Sequence, residues 1–227
     1  MLLHRTIDSY HFGFFSNLTE IQLRPLTGLF HDSDSSAVSA LGGRTAVTPA
    51  QLDGIGPVVI KHYWRGGLLR YFIKRRYLKL GKTRAQREFE LLAAVAEFGV
   101  NVPQPIAFAY RGHLFYRAWL ITREIRQPLS LADLSLQDED TIGRVMASVI
   151  NQVSSLIQNQ ILHVDLHPGN IVLDNAGKVY LLDFDKGKLY QGSRQKLKNR
   201  YLTRWQRAVS KHGLPKVLTE MMQNGLK

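Results

Sequence analysis

At 227 residues and 44% apolar content, the chain is long enough to bury a core as one compact unit of two lobes or as two small domains. It contains no cysteine, which excludes disulfides, thiolate-held zinc and thiol nucleophiles and allows a reducing compartment such as the cytoplasm. The formal net charge of +12 is unevenly placed: ten Lys or Arg and no acid lie between Asp53 and Glu88, and eleven follow Asp185 with Glu220 as the only acid. Such blocks imply either an anionic partner or a basic surface that is merely solvated.

In chain order, Met1-Leu-Leu-His-Arg5 lacks the basic stretch, apolar run and small-residue cleavage site of a secretory signal. No segment approaches the roughly 18 apolar residues of a membrane span, so any membrane contact is expected to be peripheral. Residues 1–36 read as a polar leader ending in the loop-like His31-Asp-Ser-Asp-Ser-Ser36, with short apolar strands following around Gly42-Gly43. Gly54, Gly56 and Pro57 mark a turn, and Pro57-Val-Val-Ile-Lys61 has the composition of a buried strand that delivers one polar group. Thr83 and Gln86 suggest a capping box, from which Phe89, Leu92, Val95 and Ala96 repeat at helical spacing until Gly99. Ile106–Tyr110 and Leu114–Ile125 read as strands around Arg111-Gly112, and Pro128 ends the sheet-like region. Ile142, Val145, Val149, Val153, Leu156 and Ile157 form the stripe of a long core helix. A hairpin, Ile171–Leu173 and Val179–Leu182, turns at Asp174-Asn-Ala-Gly177.

Phosphoryl transfer needs a cation on the nucleotide phosphates, a metal on hard oxygen ligands, a base for the acceptor hydroxyl and a cover that excludes water. In His163-Val-Asp-Leu-His-Pro-Gly-Asn170, Asp165 stands five positions before Asn170, so one loop can offer a carboxylate to a hydroxyl and an amide oxygen to Mg²⁺. After the hairpin, Asp183 in Leu181-Leu-Asp-Phe-Asp185 emerges from an apolar strand, which is costly for a carboxylate unless something positive meets it.

These two segments together resemble the catalytic and metal loops of protein-kinase-like enzymes. The resemblance implies an α+β, bilobal protein-kinase-like fold, with a small antiparallel-sheet N-lobe and a reduced, mostly helical C-lobe. The expected division is 1–126, a leader and nucleotide-binding lobe, and 127–227, a catalytic lobe with a basic helical tail. It implies ATP and Mg²⁺ as cofactors, Asp165 as catalytic base, and Asn170 and Asp183 as metal ligands. Val58-Val-Ile-Lys61 is similar to the kinase strand whose lysine contacts the nucleotide phosphates, and Glu88 matches the helix glutamate that pairs with it, with Glu90 as a rival. Gly42 and Gly43 are the candidate phosphate cover, although they do not reproduce the usual three-glycine pattern. Glu124 and Ile125 stand where such folds join their lobes and meet adenine through backbone groups. Asp185 either assists the metal or pairs with Lys186.

Val164 replaces the arginine that reads a phosphorylated activation loop, and residues 186–227 contain no Ala-Pro-Glu motif, so a small or lipid-linked hydroxyl acceptor is expected in place of a peptide. His62-Tyr-Trp-Arg-Gly-Gly-Leu68, Val102-Pro-Gln-Pro-Ile106 and Leu182-Asp-Phe-Asp-Lys186 resemble the 3-deoxy-D-manno-octulosonic acid (Kdo) kinases of the lipopolysaccharide kinase family, over roughly residues 40–190. That resemblance implies transfer of the ATP γ-phosphate to the 4-hydroxyl of Kdo on lipid IV(A). Its partners would be a Kdo-bearing lipid A precursor and the anionic cytoplasmic face of the bacterial inner membrane, with no nucleic acid and no obligate protein partner. Arg65, beside Gly66 and Gly67, is the candidate anion contact or else part of a plain hairpin turn. Leu197, Tyr201 and Trp205 fall four apart on one helical face, which points into the core or into a membrane. Alternatives are a kinase of a heptose or another small molecule, and a nucleic-acid-binding protein, which would leave Asp165, Asn170 and Asp183 without a role.

Overall fold

The computed structural model describes residues 1–30, 47–63, 77–78, 81–137 and 139–226. Gly42, Gly43 and Arg65 lie outside these residues. The chain divides into two compact units, Met1–Glu90 with Gln104–Glu124, and Leu91–Pro103 with Ile125–Lys227. The class is α+β, as expected.

Residues 1–30 correct the expectation of a polar leader: they are β1 (Leu3–Ile7), β2 (Tyr10–Phe14) and α1 (Glu20–Leu29). The pattern that makes them strands is alternation, with Tyr10, Phe12 and Phe14 on one face and all nearly fully buried. Gly13, on the opposite face, is required by close approach, because a Cβ there would come within 2.2 Å of the Phe108 ring. α1 starts at a full capping box: the Thr19 side chain accepts from Gln22 N, and the Gln22 side chain accepts from Thr19 N. Its apolar face, Leu23 and Leu26, is wholly buried.

The sheet of the first unit adds β3 (Val47–Leu52), β4 (Gly56–His62), β5 (Tyr77–Leu78), β6 (Pro105–Arg111) and β7 (Phe115–Arg123). All pairs are antiparallel in the order β1-β2-β6-β7-β4-β3, with β5 on β7. β4 is therefore an interior strand whose Val58 and Ile60 point into the core, while Lys61, between them and His62 in the alternation, points to the other face. Burying Phe12, Leu23, Ile60 and Ile121 removes side chains from water that contribute about 1.5–3 kcal/mol each. α2 (Arg84–Glu97) begins where Thr83 Oγ1 accepts from Gln86 N at 3.2 Å; the Gln86 amide turns to Glu90, so only half of the expected capping box forms. Residues Arg84–Glu90 count with the first unit and the rest of the helix with the second.

The second unit contains β8 (Leu129–Ser130), α3 (Leu131–Leu134), α4 (Glu139–Gln158), β9 (Ile161–Leu162), β10 (Ile171–Leu173), β11 (Val179–Leu181), β12 (Lys188–Leu189), α5 (Arg194–Lys211) and α6 (Val217–Gly225). Its strands are short, in the order β11-β10-β8 and β12-β9. α4 buries Ile142, Val145, Val149, Val153 and Leu156 of the expected stripe and leaves Ile157 half-buried, and α4, α5 and α6 touch one another pairwise. Gln152 is the polar exception on α4: its Oε1 accepts from Asn101 N at 2.8 Å and its Nε2 donates to Val179 O at 3.2 Å. Leu197, Tyr201 and Trp205 are all at most 2% exposed, so this face of α5 is core and not a membrane contact. Among the described residues no helix is long and apolar enough to cross a membrane.

Candidate active site

In the first unit, an interior strand and the first half of a helix bring Lys61 and Glu88 together. Lys61 Nζ donates to Glu88 Oε1 at 2.9 Å and to Oε2 at 3.0 Å. Glu88 is 3% exposed and also accepts from the Tyr63 hydroxyl, two residues further along the chain from Lys61. A carboxylate this buried is tolerable because cation and hydroxyl satisfy it. The rival Glu90 pairs instead with Lys82. Glu124, the last residue of this unit, is exposed, and its N–H donates to Pro57 O at 3.1 Å, so what it can offer a nucleotide base through the backbone is its carbonyl. Ile125, the first residue assigned to the second unit after the sheet, is half-buried.

In the second unit, the loop after β9 is closed by its own backbone and side chains. His167 caps the 3₁₀ turn Pro168–Asn170, its Nδ1 accepting from Gly169 N at 3.1 Å. Asn170 N donates to His167 O, and Asn170 Nδ2 donates to Asp165 O at 2.9 Å. Since Nδ2 is the donor in this bond, the other side-chain atom of Asn170, Oδ1, is a hard oxygen of the kind magnesium takes.

The same loop fixes the residue before Asp183 from both sides. Leu182 N donates to Asn170 O at 2.8 Å, and His163 Nε2 lies 2.8 Å from Leu182 O. A carbonyl accepts only, so the proton is on Nε2 and the buried Nδ1, which has no partner among the described residues, is unprotonated. Burial holds His163 below the usual histidine range even though the Leu182 carbonyl, Asp183 and Asp165 pull the other way. Its ring packs on Phe184 with centroids 4.4 Å apart. Asp183 then takes φ +62°, a left-handed conformation uncommon for a residue with a Cβ, and the chain turns back at Gly187, whose N–H donates to Phe184 O at 2.7 Å. A side chain at Gly187 would press on Leu91 at 2.5 Å.

Asp165 is half exposed and meets Arg204 of α5 in an ion pair. The Tyr201 hydroxyl, one helical turn earlier, donates to Ile161 O at 2.7 Å and accepts from His163 N at 2.8 Å. Burial pushes the Tyr201 phenol well above its ordinary pKa, so it stays a neutral donor. The sequence pattern names Asp165, Asn170 and Asp183, which the bonded frame around the loop links, but it does not point to Tyr63, Arg204, the hydrogen bonds of Tyr201 or the linking role of His163. For Tyr201 a signal existed in its place on the apolar stripe of α5. Arg204 is separated from Asp165 by 39 residues, and nothing local marks it.

Among the described residues no group of three or more His, Asp or Glu side chains converges to hold a metal by itself. The oxygens of Asn170 and Asp183 fit a magnesium ion that takes the rest of its shell from water and substrate phosphates, the usual arrangement for that cation.

Residues 31–223 match the model of the lipopolysaccharide kinase (Kdo/WaaP) family. A protein of Photobacterium profundum called 3-deoxy-D-manno-octulosonic acid kinase is 38% identical over 146 residues, covering 63% of this chain and 61% of that protein. Proteins of the same name from Vibrio vulnificus and Vibrio cholerae are 31% and 32% identical, over 80% and 68% of this chain and 77% and 68% of their own lengths. The match thus spans under two thirds of the Photobacterium profundum relative and more of the two Vibrio proteins. The chain belongs to the lipopolysaccharide kinase (Kdo/WaaP) family.

Proposed function

We propose that this protein is an ATP-dependent kinase that transfers the γ-phosphate to the 4-hydroxyl of Kdo on a Kdo-bearing lipid A precursor, Kdo-lipid IV(A). The observation that carries the reading is the bonded frame linking Asp165, Asn170 and Leu182-Asp183: one loop positions a half-exposed carboxylate, an amide oxygen and a second carboxylate. In the reaction the acceptor oxygen forms a bond to the γ-phosphorus, the bond to the β-bridging oxygen breaks to release ADP, and Asp165 takes the hydroxyl proton. Asn170 Oδ1 and Asp183 would hold Mg²⁺, which when bound neutralises charge on the phosphates. Lys61, kept in place by Glu88 and Tyr63, supplies a cation for the nucleotide phosphates. The names of the relatives support Kdo as the acceptor.

We also place the protein at the cytoplasmic face of the inner membrane, held there peripherally by charge. Lys196, Arg200, Arg207 and Lys211 are exposed and share an arc of roughly 60° on α5 at 100° per residue. Near an anionic leaflet each contributes about 1 kcal/mol. The function is tested by mass spectrometry of Kdo-lipid IV(A) after incubation with enzyme and Mg-ATP, beside a heptose-bearing acceptor. One added phosphate on Kdo alone is expected, and phosphate on the heptose acceptor alone would reassign the substrate.

A further inference from the structure

Arg204 has no part in the phosphoryl-transfer scheme above, yet its position is tightly determined. Tyr201 bonds to both residues flanking Leu162, and Trp205 is 1% exposed with its Nε1 donating to Leu218 O at 3.0 Å. These two anchors fix the helix face beside the catalytic loop. Arg204, three residues after Tyr201, is thereby delivered to Asp165, where its Nη2 donates to Oδ1.

Stability does not explain the pair. Its side chains are 46% and 45% exposed, and ion pairs in that setting contribute roughly 0–1 kcal/mol. What the geometry provides is a forked guanidinium of which Asp165 engages one end, held at a solvent-open position next to the carboxylate that receives the acceptor's proton. Free donors of a fixed fork are suited to a second carboxylate. The neighbouring exposed cations of α5 favour an anion there as well.

On the Kdo-kinase reading, on which this inference rests, the acceptor supplies that anion. An octulosonic acid carries its carboxylate at carbon 1, three carbons from the hydroxyl at carbon 4. A hydroxyl placed on Asp165 thus brings a carboxylate close to Arg204. We infer that Arg204 is an acceptor-specificity residue that binds the sugar carboxylate while the 4-hydroxyl rests on Asp165.

The test is the ratio of kcat/KM for two acceptors, Kdo-lipid IV(A) and the same molecule with the Kdo carboxylate converted to its methyl ester. The full-length wild-type protein is expected to prefer the acid by roughly 10- to 100-fold, the range set by a hydrogen bond to a charged group. Arg204→Gln should bring the ratio close to one, chiefly through acceptor KM and with KM for ATP unchanged. Arg204→Lys, which keeps the charge and most of the stem and guards against misfolding, should restore part of the preference. Arg194→Ala, on the same helix, should match wild type. A ratio that stays at the wild-type value in both Arg204 variants, or a wild type indifferent to esterification, overturns the assignment. Failure of the wild type to phosphorylate either acceptor is a different result: it refutes the Kdo-kinase reading itself and this inference with it.

Discussion

Glu88 offers a separation of stability from activity. Replacing it with alanine removes a carboxylate that meets the Lys61 ammonium at 2.9 and 3.0 Å, on a side chain only 17% exposed. It also removes the acceptor of the Tyr63 hydroxyl. Breaking one side of a buried pair costs about 3–5 kcal/mol. For a chain of this size each kcal/mol lowers the melting temperature by about 2–4 °C, so Glu88→Ala should melt roughly 6–20 °C below wild type. Lys61→Met should also destabilise, because it takes a bidentate cationic donor from a buried carboxylate. The combined Lys61→Met/Glu88→Leu variant replaces the pair with apolar groups and should recover most of the loss. Circular dichroism melting reads the stability, and a coupled ADP-release assay reads the activity. The double variant should fold well and transfer no phosphate. If it melts as low as Glu88→Ala, the pair is not the origin of the loss; if it retains turnover, Lys61 does not hold the nucleotide.

Asp165→Ala and Asp183→Ala are each expected to abolish phosphate transfer with the fold intact, and wild-type turnover in either would remove that residue from the chemistry. Because Asp183 has φ +62°, Asp183→Ala should be less stable than Asp183→Gly by about 1 kcal/mol, as alanine is strained in this region and glycine is not. The His163 pKa is depressed in the folded state, so its stabilising contribution is full above the unfolded value of about 6.5 and is lost as pH falls from there toward the folded pKa. Relative to His163→Gln, which keeps an N–H donor but does not titrate, wild type should lose melting temperature in that window; parallel curves would show that His163 is not buried neutral. Flotation with vesicles containing anionic lipid should recover the protein at low salt and release it at high salt. Equal recovery on neutral vesicles at both salt concentrations would exclude electrostatic attachment.

The elements legible in the sequence are those whose signal is local. The stripe of α4 follows from a period of three to four, the hairpin of β10 and β11 from two apolar runs about a turn, and β4 from a β-branched run that carries Lys61 one residue before its end. Asp165, Asn170 and Asp183 were legible for a similar reason, since their spacing along one loop and one hairpin carries the pattern. The error at the N-terminus arose because His4, Arg5, Thr6 and His11 dilute the apolar content of β1 and β2, although alternation is what a half-buried strand requires. Of the partners distant in the chain, Glu88 for Lys61 was legible only through the resemblance, whereas Arg204 for Asp165 was not legible at all. Glu88 over Glu90 was a choice of spacing, and the Tyr63 bond that completes it depends on how β4 and α2 pack.

α5 combines the two kinds of information in one helix. Its buried face follows from Leu197, Tyr201 and Trp205 at intervals of four, and its charged face from a run of cations with no acid among residues 194–211. Each face taken alone permits a bland account, a helix packed on a core and solvated on its outside. The hydrogen bonds of Tyr201 exclude that account for the buried face, since a purely apolar contact would be served by phenylalanine, whereas here the hydroxyl satisfies a backbone carbonyl and a backbone N–H that open the catalytic loop. The helix is therefore part of the frame that positions Asp165. A cation set three residues after such an anchor inherits its precision, which a lysine or arginine elsewhere on the basic surface does not have. For this reason a charge block that reads as diffuse attraction in the sequence contains one residue, Arg204, with a defined place beside the candidate catalytic base.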